Sequence, residues 1–471
     1  MSRSTAESIK MKTINSASSP TDKAQNGVIN HLELYQGSAY DDDDKGKLIS
    51  VGAYHPLDGD TQTPPGTSST WLAAWNVANC VQGAGILSLP YAVKEGGYAA
   101  IITHLMLTAF GCYTCKILAN CLYENEVMED GSVRQVRVRS SYSDIGDACW
   151  KNWGGRFINY IQLIDLIAVA ALYLELPGFL MTDAFPGAPI SQLGWTLITT
   201  LFVLPSIFLR TLTMIAWLSM LAVVAYFIMG ACVVGYGLSI ATKWESVSWE
   251  HFTLETFMVS FGLTLFHYDT VYAAIPSVEE SMKHREKFDK MINWTFVLLT
   301  IFNLLYGIMA YLTFGSHTAE LITDSLPRGP YHIVNVLVVI KALLTYPLMI
   351  FMIITYIEFL KIRFLPPCYG VTQDQLPGTW AMIFRVVLVV FTLFLAIVVP
   401  HFRHFMGFIG AVMTPFVAYI IPCGCHLKLK YQELKWYEIS LEILIIFVAI
   451  VGGALAVIFA AKQLVEAYIP K

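Results

Sequence analysis

The chain has 471 residues, of which 55% are hydrophobic, 13% aromatic and only 14% charged, and its mean hydropathy is +0.55. That balance excludes a soluble globular protein and reads as an all-α polytopic membrane protein. The net charge of -5 is concentrated in the tail and loops and offers no basic patch for a nucleic acid.

Residues 1–70 are rich in Ser, Thr, Asp, Gly and Pro, keep no apolar period and begin with no signal-peptide core. They are expected to be a disordered cytosolic tail. Asp41 to Asp44 form an acidic patch within it, and Asp44, Leu48 and Ile49 have the spacing of an endosomal sorting signal, whose partner would be a sorting adaptor.

Apolar runs of about 20 residues then predict eleven transmembrane helices. They are Trp71–Val93, Gly97–Tyr123, Gly154–Thr182, Ile190–Phe208, Leu212–Ala241, Leu254–Met282, Ile292–Phe314, Pro330–Leu360, Thr379–Pro400, Phe405–His426 and Tyr437–Val465. With the tail in the cytosol, fifteen Lys and Arg fall in cytosolic loops against six opposite, the bias that orients membrane proteins. An odd span count places the C-terminus in a lumen or outside the cell. The Asn293-Trp294-Thr295 sequon lies at a cytosolic helix start, so no glycan is expected there. The nine cysteines fall in apolar spans or cytosolic loops, and no structural disulfide is expected. Cys112 and Cys115 match CxxC by spacing alone, inside an apolar helix without His or acidic neighbours, so they are expected to pack. No metal and no cofactor is expected.

The first span, WLAAWNVANCVQGAGILSLPYAV, carries Asn76, Asn79 and Gln82 and is interrupted by Gly83-Ala84-Gly85. A membrane helix can unwind only where its freed backbone groups face protein, water or a ligand, which makes the break a candidate binding site. The sixth span fails at mid-depth in the same way, at Phe266-His267-Tyr268-Asp269-Thr270. Interrupted helices five spans apart point to a 5+5 inverted repeat with its site at the membrane midplane. Residues 71–435 then form the transporter core, and residues 436–471 an additional helix with a lumenal C-terminus. At the first break the helix restarts near Gly85 with free N–H groups that suit a carboxylate. At the second, the carbonyls of Phe266 to Tyr268 and the Asp269 carboxylate suit an ammonium or a proton. Asn79, Gly83, Ala84, Gly85, Phe266, His267, Tyr268 and Asp269 are therefore the candidate substrate-binding residues.

Ionisable groups at membrane depth are costly and usually functional. Asp165, His267, Asp269 and Lys341 fall near mid-depth and Glu175 nearer the outer face. Lys341 is read as a fixed cation where related transporters keep sodium, with Asp269 or Asp165 carrying a proton; the competing reading is a set of static pairs. His104 is expected to pack.

At NVANCVQGAGILSLPYAVKEGGY the chain resembles the amino acid/auxin permease family, whose first helix carries an Asn, a Gly-rich break and Leu-x-Pro-Tyr-Ala. KILANCLYENE with VRVRSSY, LITDSLP, KALLTYPL, VVFTLFLAIVVPHF and LVEAY make it most similar to the family's vesicular inhibitory amino acid transporter branch, over Trp71 to Tyr468. The resemblance implies a leucine-transporter-type fold and the loading of GABA- or glycine-like amino acids into synaptic vesicles. It further implies drive by the proton gradient, as antiport, with chloride as a second candidate ion. It matches Asn79 to the family's cation-linked Asn and Thr345 to its eighth-helix hydroxyl, which puts Asn79, Asp165, Asp269, Lys341 and Thr345 together as ion-coupling candidates. Two departures stand at the expected site. Ala84 and Gly85 replace the branch's bulky residues, and Phe266-His267-Tyr268-Asp269-Thr270 replaces a Phe-Ser-Tyr-Thr-Ser type of break. Ala84-Gly85-Ile86-Leu87 is closer to the broader family, so the alternative is a proton- or sodium-coupled symporter of the plasma or lysosomal membrane. A channel would show pore loops or charge rings and an enzyme a nucleophile, base and oxyanion set; the sequence presents neither.

Overall fold

In lipid, a backbone can satisfy its polar groups only by coiling, so the long apolar runs are helical. The computed structural model describes residues 66–127, 133–209, 212–244, 249, 253–360, 379–398 and 402–468. The sorting motif of Asp44, Leu48 and Ile49 lies outside the described residues.

The helices are α1 (Thr70–Val81), α2 (Leu89–Asn120), α3 (Tyr142–Cys149), α4 (Gly154–Ala184), α5 (Gln192–Val203), α6 (Leu212–Ser239) and α7 (Leu254–His267). There follow α8 (Val271–Ser281), α9 (Phe288–Phe314), α10 (Arg328–Phe359), α11 (Thr379–Val398), α12 (Phe402–Thr414), α13 (Ile421–Lys430) and α14 (Trp436–Tyr468). Among the described residues, eight helical stretches are long and apolar enough to cross a membrane. The expected first and sixth spans are each split, and the fourth is a short α5 followed by a 3-10 turn at Leu204–Phe208 that opens on Pro205. The chain is a helical polytopic membrane protein, with length and apolarity in its unbroken helices.

Local chemistry sets the boundaries. Ser69 caps α1 by accepting from Leu72 N–H at 3.3 Å, and Ser141 with Asp144, like Thr253 with Thr256, forms a reciprocal cap at the start of α3 and of α7. α2 is two pieces meeting at Gly97, whose φ of 53° is the left-handed region open to glycine. The second expected span begins at this residue.

The all-α expectation is corrected at one place. Tyr123–Val127 (β1) and Val133–Arg137 (β2) pair antiparallel, with Tyr123 opposite Arg137 and Val127 opposite Val133. Between the ends of α2 and α3 the chain leaves the helical spans, and β-favouring Tyr and Val pair as a hairpin there.

α10 packs along α4 and α6, α2 along α7 and α9, and α12 along α7 and α14. α14 is pinned by a buried polar chain: Asn120 donates to His426 Nε2 at 3.4 Å, and His426 Nδ1 donates to Glu442 Oε1 at 2.7 Å. Tyr113 also donates to that oxygen, at 2.8 Å.

Candidate functional site

Both breaks predicted from the sequence are present. α1 closes with Gln82 N–H on Ala78 O at 2.9 Å, Gly83 follows, and a 3-10 turn runs Ala84–Ser88 with no side chain capping its start. The second break is Tyr268-Asp269-Thr270, between α7 and α8. No side chain caps α8 either. Its N-cap residue Thr270 instead donates to Cys80 O at 3.1 Å, so one break supplies a partner to the end of the helix that precedes the other.

Glycines govern how closely these parts approach. A Cβ on Gly85 would lie 3.0 Å from the Phe266 ring and 3.1 Å from His267 Cα and N. Gly85 therefore lets the two breaks touch. Gly83 has looser surroundings, its nearest neighbours for a Cβ being Cys80 O and Tyr173 Oη at 3.8 Å. On the other side, a Cβ on Gly410 of α12 would lie 2.3 Å from Phe266 Cβ and 2.7 Å from its Cα, so α12 presses directly on the backbone of the second break.

The polar residues of the first span are all buried and engaged. Asn76 donates to Leu212 O at 3.3 Å, and Asn79 donates to Ser219 Oγ at 3.2 Å while accepting from Thr345 at 2.9 Å. The structure thus brings together Asn79 and Thr345, the pair singled out by the family resemblance. Gln82 donates to Asn303 Oδ1 at 2.9 Å, as does Tyr226 at 2.7 Å, and Asn303 donates to His267 Nε2 at 2.8 Å. Accepting at Nε2 makes His267 a neutral imidazole with its proton on Nδ1. Tyr268 turns to α2, within hydrogen-bond reach of His104 Nε2 at 3.2 Å and of Thr108 Oγ1. His104 is therefore a partner in this network as well as a packed side chain.

Asp269 points away from the first break. Its Oδ1 accepts from Thr414 at 2.5 Å, and Asp165 on α4 is its titratable neighbour. Both aspartates are buried.

A small cavity adjoins the first break, lined by Gly83, Ile86, Leu87, Tyr173, Leu176, Met229, Val338, Lys341 and Ala342. Its volume of 10 Å³ is about that of one probe-sized water, so a larger solute fits only when the helices around it separate. Of the residues expected to bind substrate, Gly83 lines it; of those expected to couple ions, Lys341 does. The side chains of His267, Tyr268 and Asp269 are committed to neighbouring helices. Glu175, buried on α4 like Tyr173 and Leu176, lies outside the lining.

A seal closes the bundle at its hairpin end. Ser68 donates to Ser281 O and accepts from Lys283 N–H, both at 2.8 Å, tying the start of α1 to the end of α8. Glu279, buried on α8, lies 3.2 Å from Arg137 Nε, too bent for a hydrogen bond but close as an ion pair, and 3.8 Å from Arg285 Nε. Tyr123 donates to the same carboxylate, and burial beside it pushes the Tyr123 phenol above its ordinary range.

Sequence reasoning passed over Tyr173, Asn303, Gly410, Thr414 and Glu279. Asn303, a lone amide in an apolar run, had a signal in the sequence: the test applied to charges at depth also finds it. Gly410 and Thr414 had none, since only packing distinguishes them from other small residues of α12.

Residues 66–464 match the family model described as transmembrane amino acid transporter protein. The chain is 36% identical over 413 residues to the vesicular inhibitory amino acid transporter of Rattus norvegicus, covering 85% of this chain and 77% of that protein. It is 33% identical over 407 residues to the vesicular GABA transporter of Caenorhabditis elegans, covering 85% and 80%. Among solved structures, MhsT in complex with L-phenylalanine superimposes with a TM-score of 0.54 at 13% identity, covering 84% of this chain and 99% of that one. Mhp1, a nucleobase-cation-symport-1 family transporter in a closed conformation, does so with 0.51 at 12%, covering 86% and 96%.

Proposed function

Because the chain belongs to the transmembrane amino acid transporter family, we propose that it is a secondary active carrier that loads small neutral amino acids, GABA or glycine among them, into vesicles. A small cavity beside a helix start that no side chain caps, walled by apolar side chains, Tyr173 and one lysine, carries this reading. A neutral amino acid presents an anionic end for the helix start and the ammonium, and little else that is charged. The relatives' printed names supply the vesicle and the inhibitory amino acid.

In the proposed arrangement eleven spans form a 5+5 inverted repeat with one helix added. Packing supports the repeat, since the first span lies on the sixth, the second on the seventh and the third on the eighth. The N-terminus and the hairpin end face the cytosol and the C-terminus faces the lumen. Asp165 and Asp269 form the proton-carrying pair, and Asn79 with Thr345 holds the junction of the first and eighth spans. The tail motif of Asp44, Leu48 and Ile49 engages a sorting adaptor.

Proteoliposomes with an acid interior provide the test. Labelled GABA or glycine should accumulate inside and be lost when the proton gradient collapses. Uptake from an acidic exterior, or only with sodium, would instead establish a symporter; chloride dependence is read in the same assay.

A further inference from the structure

We propose that Lys341 is the carboxylate receptor of the site, its ammonium binding the anionic end of the transported amino acid beside the helix start beyond Gly83, which no side chain caps. This rests on the transporter reading and deepens it, turning Lys341 from a resident substitute for a coupling cation into a group that meets the substrate.

The cation is set apart by what surrounds it. Lys341 is 4% exposed, and its Nζ has no hydrogen-bond partner and no ion-pair partner among the described residues. Two other buried cations have an acidic partner: Arg137 has Glu279, and Lys430 has Glu433 at 3.5 Å. Lys341 Nζ lies over the Tyr173 ring, 5.4 Å from its centroid. A cation–π contact of that length offsets only part of the several kcal/mol lost when an ammonium leaves water. An anion in the cavity would supply the rest.

Geometry places that anion. Gly83, Tyr173 and Lys341 line one cavity, and the turn starting at Ala84 has no side chain to cap it, so two sources of positive potential converge on one small volume. The other walls, Ile86, Leu87, Leu176, Met229, Val338 and Ala342, offer no partner to a second charge. Near Gly83, Cys80 O, Tyr173 Oη and His267 O lie within 4.0 Å of the position of a Cβ and can accept from an ammonium. One turn along α10, Thr345 is held by Asn79 at 2.9 Å. That contact fixes the rotation of α10 that turns Lys341 to the cavity.

Uptake of labelled glycine and GABA into proteoliposomes is to be measured for the wild type, Lys341→Met and Lys341→Arg, with unlabelled glycine and glycinamide as competitors and with chloride varied. Glycinamide keeps the ammonium and lacks the carboxylate. For the wild type, glycinamide should compete far less well than glycine, and equal competition overturns the inference without recourse to any variant. Lys341→Met should raise KM for glycine and GABA by about 10- to 100-fold, the scale of a lost charged hydrogen bond, and lose the preference for glycine over glycinamide. Lys341→Arg should retain much of that preference. An unchanged KM in Lys341→Met overturns the inference, as does a loss of chloride dependence with KM unchanged, which would assign the ammonium to an inorganic anion. If the wild type takes up no amino acid under any gradient, the transporter reading fails first and this one with it.

Discussion

The seal at the hairpin end and the cavity at the first break are both buried and both polar, yet they are built on opposite terms. Around Glu279 the charges answer one another: Arg137, Arg285 and Tyr123 converge on one carboxylate, and backbone pairing through Ser68 staples α1 to α8. Around Gly83 an uncapped helix start and an unpaired ammonium face a nearly empty space. A satisfied network stabilises one arrangement of helices, whereas an unsatisfied one is stabilised by whatever supplies the missing partner. The comparison assigns holding to the first region and binding to the second, with the two broken helices passing through both.

Five substitutions would break or sharpen that contrast. The largest effect on transport is expected from Gly410→Ala, because a Cβ 2.3 Å from Phe266 must displace the backbone of the second break; overpacking of this kind costs about 1–3 kcal/mol or more. Purified protein should be reduced in yield and transport nearly abolished, and wild-type uptake would show that α12 yields there. Next, Glu279→Gln removes the buried anion between Arg137 and Arg285 and leaves Arg137 only the exposed Glu280, at 3.5 Å. Breaking a buried pair costs about 3–5 kcal/mol at most, so the melting temperature in detergent should fall while KM is preserved in the protein that remains folded. A raised KM with unchanged melting would place Glu279 in the binding region and erase the contrast.

Asp269→Asn should leave folding largely intact, since the amide can still meet Thr414 and Asp165, but flatten the dependence of uptake on pH. Asp165→Asn should do the same, with the double variant no worse than either, as expected of one shared proton. A profile that keeps its wild-type shape removes the pair from coupling. The smallest effect belongs to Thr270→Val, which deletes one hydrogen bond to Cys80 O, about 1 kcal/mol. A few-fold loss of uptake is expected, and a loss as large as that of Gly410→Ala would mean that this bond carries the coupling between the breaks.

Much of the fold was legible in the sequence because lipid permits so few backbone solutions. Helix interruptions at Gly83-Ala84-Gly85 and at Tyr268-Asp269-Thr270 follow from glycine and polar residues at depth, and the helix boundary at Gly97 from the same reasoning. The hairpin of Tyr123–Val127 and Val133–Arg137 escaped it, as a search for long apolar runs does not register short polar strands. The site was legible as a set of residues but not as an arrangement. Asn76, Asn79 and Gln82 drew notice as polar groups at depth, and the structure uses them to tie α1 to its neighbours. Gly85 stood out as a substrate-binding candidate at the helix restart, whereas its missing side chain admits the backbone of His267.

Composition, hydropathy and the two interruptions, all local properties, determined that this chain coils through a membrane and where it unwinds. Which buried groups meet each other, Asp269 with Asp165 or Asn79 with Thr345, and which remain without a partner, as Lys341 does, was decided only in the tertiary structure. The rotation of a helix about its axis is set by packing against helices far away in sequence, and a turn of a few tens of degrees moves a side chain from a cavity to a neighbour.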